Sequence, residues 1–230
     1  MDALATFEDV SFEYRIRSGF FNSHSVQVLK DLNFAIYKGE TFGVVGGNGA
    51  GKSTLLKLLA GIHVPASGRL LTPKGLRVSL LSLQLGFSPK LSGRDNAIMG
   101  AIFLGKTKSE AEERLPEIIA YSELEGWIDE PLKTYSTGMR ARLGFAVAME
   151  IAPDILLVDE VLGVGDQSFR IKSTSSMKQK MKAGQTAVFV SHNLQQVADI
   201  CSRVCWMDRG RVRMLGKASD VVKAYSAARR

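Results

Sequence analysis

The stretch "GGNGAGKST", Gly46 to Thr54, constrains this chain more than any other. Gly46, Gly47, Gly49 and Gly51 leave backbone N–H groups free to close around an anion. Lys52 and Ser53 follow at the spacing of a phosphate loop, whose remaining members here are Asn48, Ala50 and Thr54. The flanks agree: "TFGVV" from residue 41 reads as a buried strand and "STLLKLLAGI" from residue 53 as a helix, so the loop aims a helix N-terminus at its ligand. In that setting Lys52 is expected to contact the β- and γ-phosphates of a nucleoside triphosphate, and Ser53 to ligate magnesium.

A phosphate loop demands a parallel sheet behind it, and the pattern supplies one. "DILLVDE" at 154, "TAVFVSH" at 186 and "RVCWMD" at 203 are short apolar runs typical of strands buried on both faces. Helical spacing recurs in "TGMRARLGFAVAMEI" at 137 and "NLQQVADIC" at 193, so strand and helix alternate as in a doubly wound α/β fold. Residues 91–150 depart from this, with helical patterns such as "SEAEERLPEIIAYSEL" and no convincing strand. They read as a helical lobe inserted into a core made of residues 1–90 and 151–230. Near the N-terminus, "ATFEDVSFEYR" and "VLKDLNFAIYKG" alternate like half-buried antiparallel strands, separated by the polar, aromatic loop "IRSGFFNSHS". The tail "GKASDVVKAYSAARR" reads as a last amphipathic helix.

Composition narrows the class. The 230 residues suit a single domain, and no run approaches the 18 apolar residues of a bilayer span. The N-terminus shows no secretory signal pattern, so a cytoplasmic location is expected. Cys201 and Cys205 lack metal partners at the usual spacings and are expected to be reduced, partly buried thiols. The net charge of +7 suits nucleic acid, an anionic membrane surface or phosphorylated ligands, and does not choose among them.

Two further strand ends carry chemistry. Asp159 and Glu160 close the buried run "ILLV", where open α/β sheets place ligands; Asp159 is expected to hold magnesium through a water, and Glu160 to polarise the attacking water. His192 closes "TAVFVSH", placed to donate to a γ-phosphate. This is the outline of a nucleotide hydrolase. A GTPase would require an Asn-Lys-x-Asp stretch, which is absent, and a small-molecule kinase would not need "YSTGMRAR" at 135.

Together these residues resemble the ATP-binding subunit of an ABC transporter, a P-loop ATPase with a RecA-like core, a mixed sheet, an N-terminal antiparallel β part and an inserted helical lobe. The resemblance runs from Tyr14 to the strand around Trp206. It implies that Ser136 and Gly138 meet the γ-phosphate of ATP held by a second copy of the chain, that Tyr14 stacks on adenine and that Gln84 touches magnesium. It also implies that "LGVGD", 162–166, contacts the other copy. The departures "YSTGMRARLGFAVA", "VLGVGD" and "LGFSPKLSGRDNAIMGAIFLG" resemble the branch exporting O-antigen, capsule and teichoic acid. That branch implies a homodimer on the cytoplasmic face of the inner membrane, paired with two copies of a separate membrane subunit and moving a lipid-linked glycan. No nucleic-acid partner is then expected; some ATPases of the branch continue into a C-terminal carbohydrate-binding domain, and none is expected within these residues. Export of another amphiphile, or a soluble ABC-type ATPase acting on nucleic acid or ribosomes, are the alternatives. The adjacent Phe20 and Phe21 are expected to face the membrane subunit or its substrate.

Overall fold

The computed structural model describes residues 2–18, 22–80, 86–159 and 166–229. They form two compact units, Met1–Leu76 with Gly184–Arg230, and Arg77–Ala183. The first unit opens with strands β1 (Ala3–Ser18), β2 (Asn22–Tyr37) and β3 (Thr41–Val45), helix α1 (Lys52–Leu59) and strand β4 (Ser67–Leu71). The second holds β5 (Val78–Leu80), α2 (Gly93–Phe103), α3 (Lys108–Glu113), α4 (Leu115–Ser122), α5 (Thr137–Ile151), β6 (Ile155–Asp159) and α6 (Gln167–Lys182). The chain then returns to the first unit with β7 (Ala187–Val190), α7 (Leu194–Ile200), β8 (Arg203–Asp208), β9 (Arg211–Lys217) and α8 (Ala218–Ala228).

In the first unit β1 pairs with β2 and β4 in an antiparallel sheet, while β3 lies parallel between β7 and β8, and β9 runs antiparallel beside β8. All of β3 and β7 is buried, as expected of parallel strands covered on both faces. Phe42, Val44, Val188, Phe189, Val204 and Cys205 carry no exposed surface, nor do Leu55 and Leu56 of α1. Both cysteines are free and buried, and desolvation pushes each thiol up to about 12. A Cβ on Gly43 would stand 2.9 Å from the Cys201 sulfur, so β3 and the end of α7 touch through a glycine.

The segment read from sequence as a loop, "IRSGFFNSHS", is largely strand. The ladder continues through Ile16↔His24 and Ser18↔Asn22. Backbone pairing started by the buried Phe7, Val10 and Phe12 propagates outward into polar residues, because a ladder needs cross-strand N–H and C=O groups and no buried face. Phe20 and Phe21 lie outside the described residues.

In the second unit β5 and β6 are parallel. Helices α2 to α5 enclose their own apolar core, including Ala97, Ile118, Leu143, Ala146 and Val147. The pattern at 109–124 forms two helices, broken before Pro116, which sits in the first turn of α4. Beside α5, the rings of Tyr121, Phe145 and Phe169 gather with centroids 5.9 to 6.0 Å apart. The Arg142 guanidinium lies 5.0 Å from the Phe169 centroid, and the Lys172 ammonium 4.8 Å from that of Tyr121. Phe169 is fully buried beneath these cations. Phe169→Ala should therefore cost about 3 to 5 kcal/mol, through lost transfer energy and the cavity left behind. Urea unfolding followed by circular dichroism would measure it; a loss under 1 kcal/mol would show that the cluster collapses to fill the space.

Candidate nucleotide site

The phosphate loop is shaped by close main-chain approach. A Cβ on Gly46 would stand 2.4 Å from the Met207 carbonyl oxygen, so β8 admits only glycine there. Gly49 and Gly51 hold φ of 74° and 97°, the left-handed region that glycine enters without steric cost. Gly51 caps α1 with no side-chain acceptor, and no acidic residue stands in the first turn. The first N–H groups of α1 are thus not consumed by a capping side chain, and the positive end of the helix dipole is left uncompensated.

Lys52 is buried, and its ammonium donates to the carbonyls of Gly46 at 2.9 Å and Gly47 at 3.1 Å. An ammonium has three protons, so these bonds position the head and leave a donor for an anion. Gly47, Asn48, Gly49 and Ser53 are exposed, whereas Ala50 and Thr54 are buried. A glycine cradle, a buried cation and an uncapped helix N-terminus fit a chain of phosphates.

The parallel register sets His192 beside the loop. Val44 pairs with Val190, so Gly46 and His192 each lie two residues beyond that pair, at the carboxyl ends of neighbouring strands. His192 is exposed. Tyr14 reaches toward α1: its hydroxyl lies 3.4 Å from Thr54 Oγ1 and 3.2 Å from His63 Nε2. Its ring stands edge-on to Phe12 at 5.0 Å and His63 at 5.5 Å. Neither polar partner is signalled by local sequence pattern.

In the second unit Asp159 ends β6, half-buried after four fully buried residues. Glu160, Gln84 and residues 162–165 of the loop "LGVGD" lie outside the described residues. Asp166 is described: its carboxylate caps α6, accepting from the Phe169 N–H at 3.0 Å and the Ser168 hydroxyl at 2.8 Å. These bonds, with Arg142, hold its carboxyl below the usual range. Arg142 of α5 donates to Asp166 and, at 3.2 Å, to Glu123. The pair couples α5 to the start of α6, and its 24-residue separation hides it from sequence reading.

Ser136 is the N-cap of α5, where its oxygen accepts from the Met139 N–H at 3.1 Å. As an acceptor in the cap, the hydroxyl retains its own proton for an outside acceptor. Gly138 is half-buried in the first turn, and no acidic residue opposes an anion there. Tyr135 anchors the turn from below, donating to the Trp127 carbonyl at 2.6 Å. Two helix N-termini, of α1 and α5, are therefore prepared for anionic groups.

A family model described as ABC transporter matches residues 29–163. The chain belongs to this family. ATP binding and hydrolysis are characteristic of it, and the ABC chain described here is an ATPase. It is 41% identical to the O-antigen export system ATP-binding protein RfbB of Klebsiella pneumoniae, over 99% of both chains. It is 47% identical to the RfbB protein of Myxococcus xanthus, over 88% of this chain but 46% of that longer protein. The teichoic acids export ATP-binding protein TagH of Enterococcus faecalis is 44% identical over 86% of this chain and 44% of its own length. The chain thus spans under half of these last two relatives. A solved ATP-binding subunit of an ABC transporter shares the fold with a TM-score of 0.78 at 22% identity, covering 97% of this chain and 93% of that one. A dimeric ATP-binding cassette bound to ADP and phosphate gives 0.75 at 22% identity, covering 93% and 98%.

The geometry of this ABC chain separates two roles for Ser136. Ser136→Ala should lower stability by about 1 kcal/mol through loss of the cap. Ser136→Asp restores a capping acceptor but adds a negative charge and removes the donor. Denaturation should thus find Ser136→Asp near wild-type stability while a steady-state assay finds its ATPase activity reduced at least tenfold. Full activity in Ser136→Asp would limit the residue to capping.

Proposed function

We propose that this chain is the ATP-hydrolysing subunit of an exporter moving a lipid-linked polysaccharide of the O-antigen, capsule or teichoic-acid type. The observation carrying the reading is the 41% identity over 99% of both chains with an O-antigen export ATP-binding protein. The stretches "YSTGMRARLGFAVA" and "VLGVGD", which resemble that branch, support the same reading. Among the described residues no helix is long and apolar enough to cross a membrane. In this reading a separate membrane subunit, present in two copies, carries the glycan path, and the ATPase docks on its cytoplasmic face.

Two copies of the chain would enclose ATP between the phosphate loop of one and the α5 N-terminus of the other. Lys52 and the α1 N–H groups bind the phosphates of their own copy's nucleotide, with Tyr14 against adenine. Ser136 and Gly138 serve the nucleotide of the partner copy. Ser53, Asp159 and Gln84 would hold a magnesium ion, which would supply charge neutralisation at the phosphates. Glu160 takes a proton from the attacking water, whose oxygen bonds to the γ-phosphorus as the bond to the departing ADP oxygen breaks; His192 donates to the γ-phosphate.

Two measurements test this. Glu160→Gln should retain ATP binding and lose most turnover, because the amide keeps the shape without the base. In that background, Lys52→Ala and Ser136→Arg proteins should each dimerise weakly with magnesium-ATP, since each homodimer lacks the same half of both sites. Their mixture builds one intact site per heterodimer and should show more dimer by sedimentation velocity than either alone. Full-strength dimerisation of the Ser136→Arg protein would overturn the shared site. Deleting the gene should abolish surface polysaccharide; unchanged surface polysaccharide would overturn the exporter reading, and restoration by a Glu160→Gln copy would overturn the role given to hydrolysis.

A further inference from the structure

A cavity of about 450 Å³ in the first unit is lined by Lys30, Asp208, Arg209, Arg211, Val212 and Arg213. None of these residues belongs to the nucleotide machinery described above. Four are cations. Arg211 is neutralised by Asp31 at 2.9 Å, and Arg213 by Asp208 at 3.3 Å. Lys30 and Arg209 meet no acceptor among the described residues, so the cavity carries two uncompensated positive charges.

The turn beside it holds a non-glycine residue at positive φ. Arg209 and Gly210 link β8 to β9 with φ of 49° and 81°, the tight hairpin turn with both central residues left-handed. Glycine is obligatory at the second position, where a Cβ would stand 2.2 Å from the Val28 carbonyl oxygen. At the first position asparagine, aspartate or glycine is favoured, and a long cationic side chain is disfavoured. Arg209 nonetheless stands there, exposed. A residue held in a sparsely populated conformation points toward function. Charged residues do protect edge strands from pairing, which accounts for Arg211 and Arg213 on β9. That role extends to Lys30 on β2, itself an edge strand, but it does not explain Arg209 in the turn.

The cavity is also rigid. The Lys30 N–H donates to the Gly210 carbonyl at 2.8 Å, and the Gly210 N–H donates to the Ala50 carbonyl at 3.2 Å. The Arg213 guanidinium is stacked 4.4 Å from the Trp206 ring centroid. The main chain that carries Lys30 and Arg209, and the Arg213 side chain, are therefore held in place before a ligand arrives, which lowers part of the ordering cost of binding.

We propose that the β8–β9 turn and Lys30 form a second anion site, taking a phosphate or diphosphate group of about two negative charges, on a soluble metabolite or a lipid headgroup. Lys30 and Arg209 supply the charges, and Arg213 and Arg211 frame the group with planar donors. The test is titration calorimetry of the full chain with pyrophosphate, without magnesium and with ADP saturating the phosphate loop. Pyrophosphate should still bind, and the Lys30→Gln/Arg209→Gly variant should bind at least tenfold more weakly. Glycine is favoured at position 209, so the variant's melting temperature should not fall; ADP affinity should be unchanged. Lys52→Ala should lose ADP while keeping this pyrophosphate site, which separates the new site from the nucleotide assignment. Sedimentation with phosphatidic acid vesicles, whose headgroup is a phosphomonoester, against phosphatidylcholine controls, distinguishes the source: vesicle binding lost in the double variant, without pyrophosphate binding in wild type, assigns a lipid headgroup. If wild type binds neither probe, or the variant binds both as wild type does, the site does not exist.

Discussion

The phosphate loop rests on main chain at several points. Gly46 lies against the Met207 carbonyl, Gly51 against the Val28 carbonyl, and the Ala50 carbonyl accepts from Gly210. Side chains can adjust by changing rotamer, but main chain of a paired strand cannot. The loop's shape is therefore inherited from β8, β2 and the turn after β8, and the buried ladder of β3 between β7 and β8 holds that support in place. Lys52 completes the arrangement from inside, binding the carbonyls of Gly46 and Gly47. The glycines allow close approach, and the approach in turn fixes where the N–H groups point.

The second unit prepares an anion-facing helix end by other means. Gly93 and Tyr135 pack closely, and the Tyr135 hydroxyl bonds to the Trp127 carbonyl. This anchors the turn before Ser136, whose cap then defines the first turn of α5. Arg142, one turn further, is tied to both Glu123 and the α6 cap Asp166, and lies on Phe169. A shift of α5 would strain this ion pair and the aromatic cluster together. Because Arg142 is largely shielded from solvent, its bonds are less screened than a surface ion pair's.

What was legible in the sequence follows from burial. Strands β3, β6, β7 and β8 carry apolar runs because both faces are covered along their centres, and α5 was readable because about half its residues are buried. Four elements left no such trace. β4 is mostly exposed, β5 spans three residues, and β9 alternates arginine with apolar residues along an edge. α6 buries only Phe169, Ser173, Met177 and Met181, a single row four residues apart with a serine in it, so its apolar period is too thin to see. At the site, the phosphate loop was legible because its chemistry is local. The bonds of Tyr14 to Thr54 and His63, and of Arg142 to Asp166, join distant residues of ordinary type, and nothing in a linear pattern pairs them.

Both cysteines of the chain belong to the first unit, buried against β3 with thiols that stay protonated at neutral pH. A protonated, enclosed sulfur does not react with an alkylating agent until the packing around it opens. The rate of labelling thus becomes a clock for opening of the unit that carries the phosphate loop. The unit carrying Ser136 contains no cysteine and is silent to the same reagent. Nature has in effect placed a reporter in one half of the molecule, so that nucleotide-dependent protection of the phosphate-loop unit can be timed without attaching a probe.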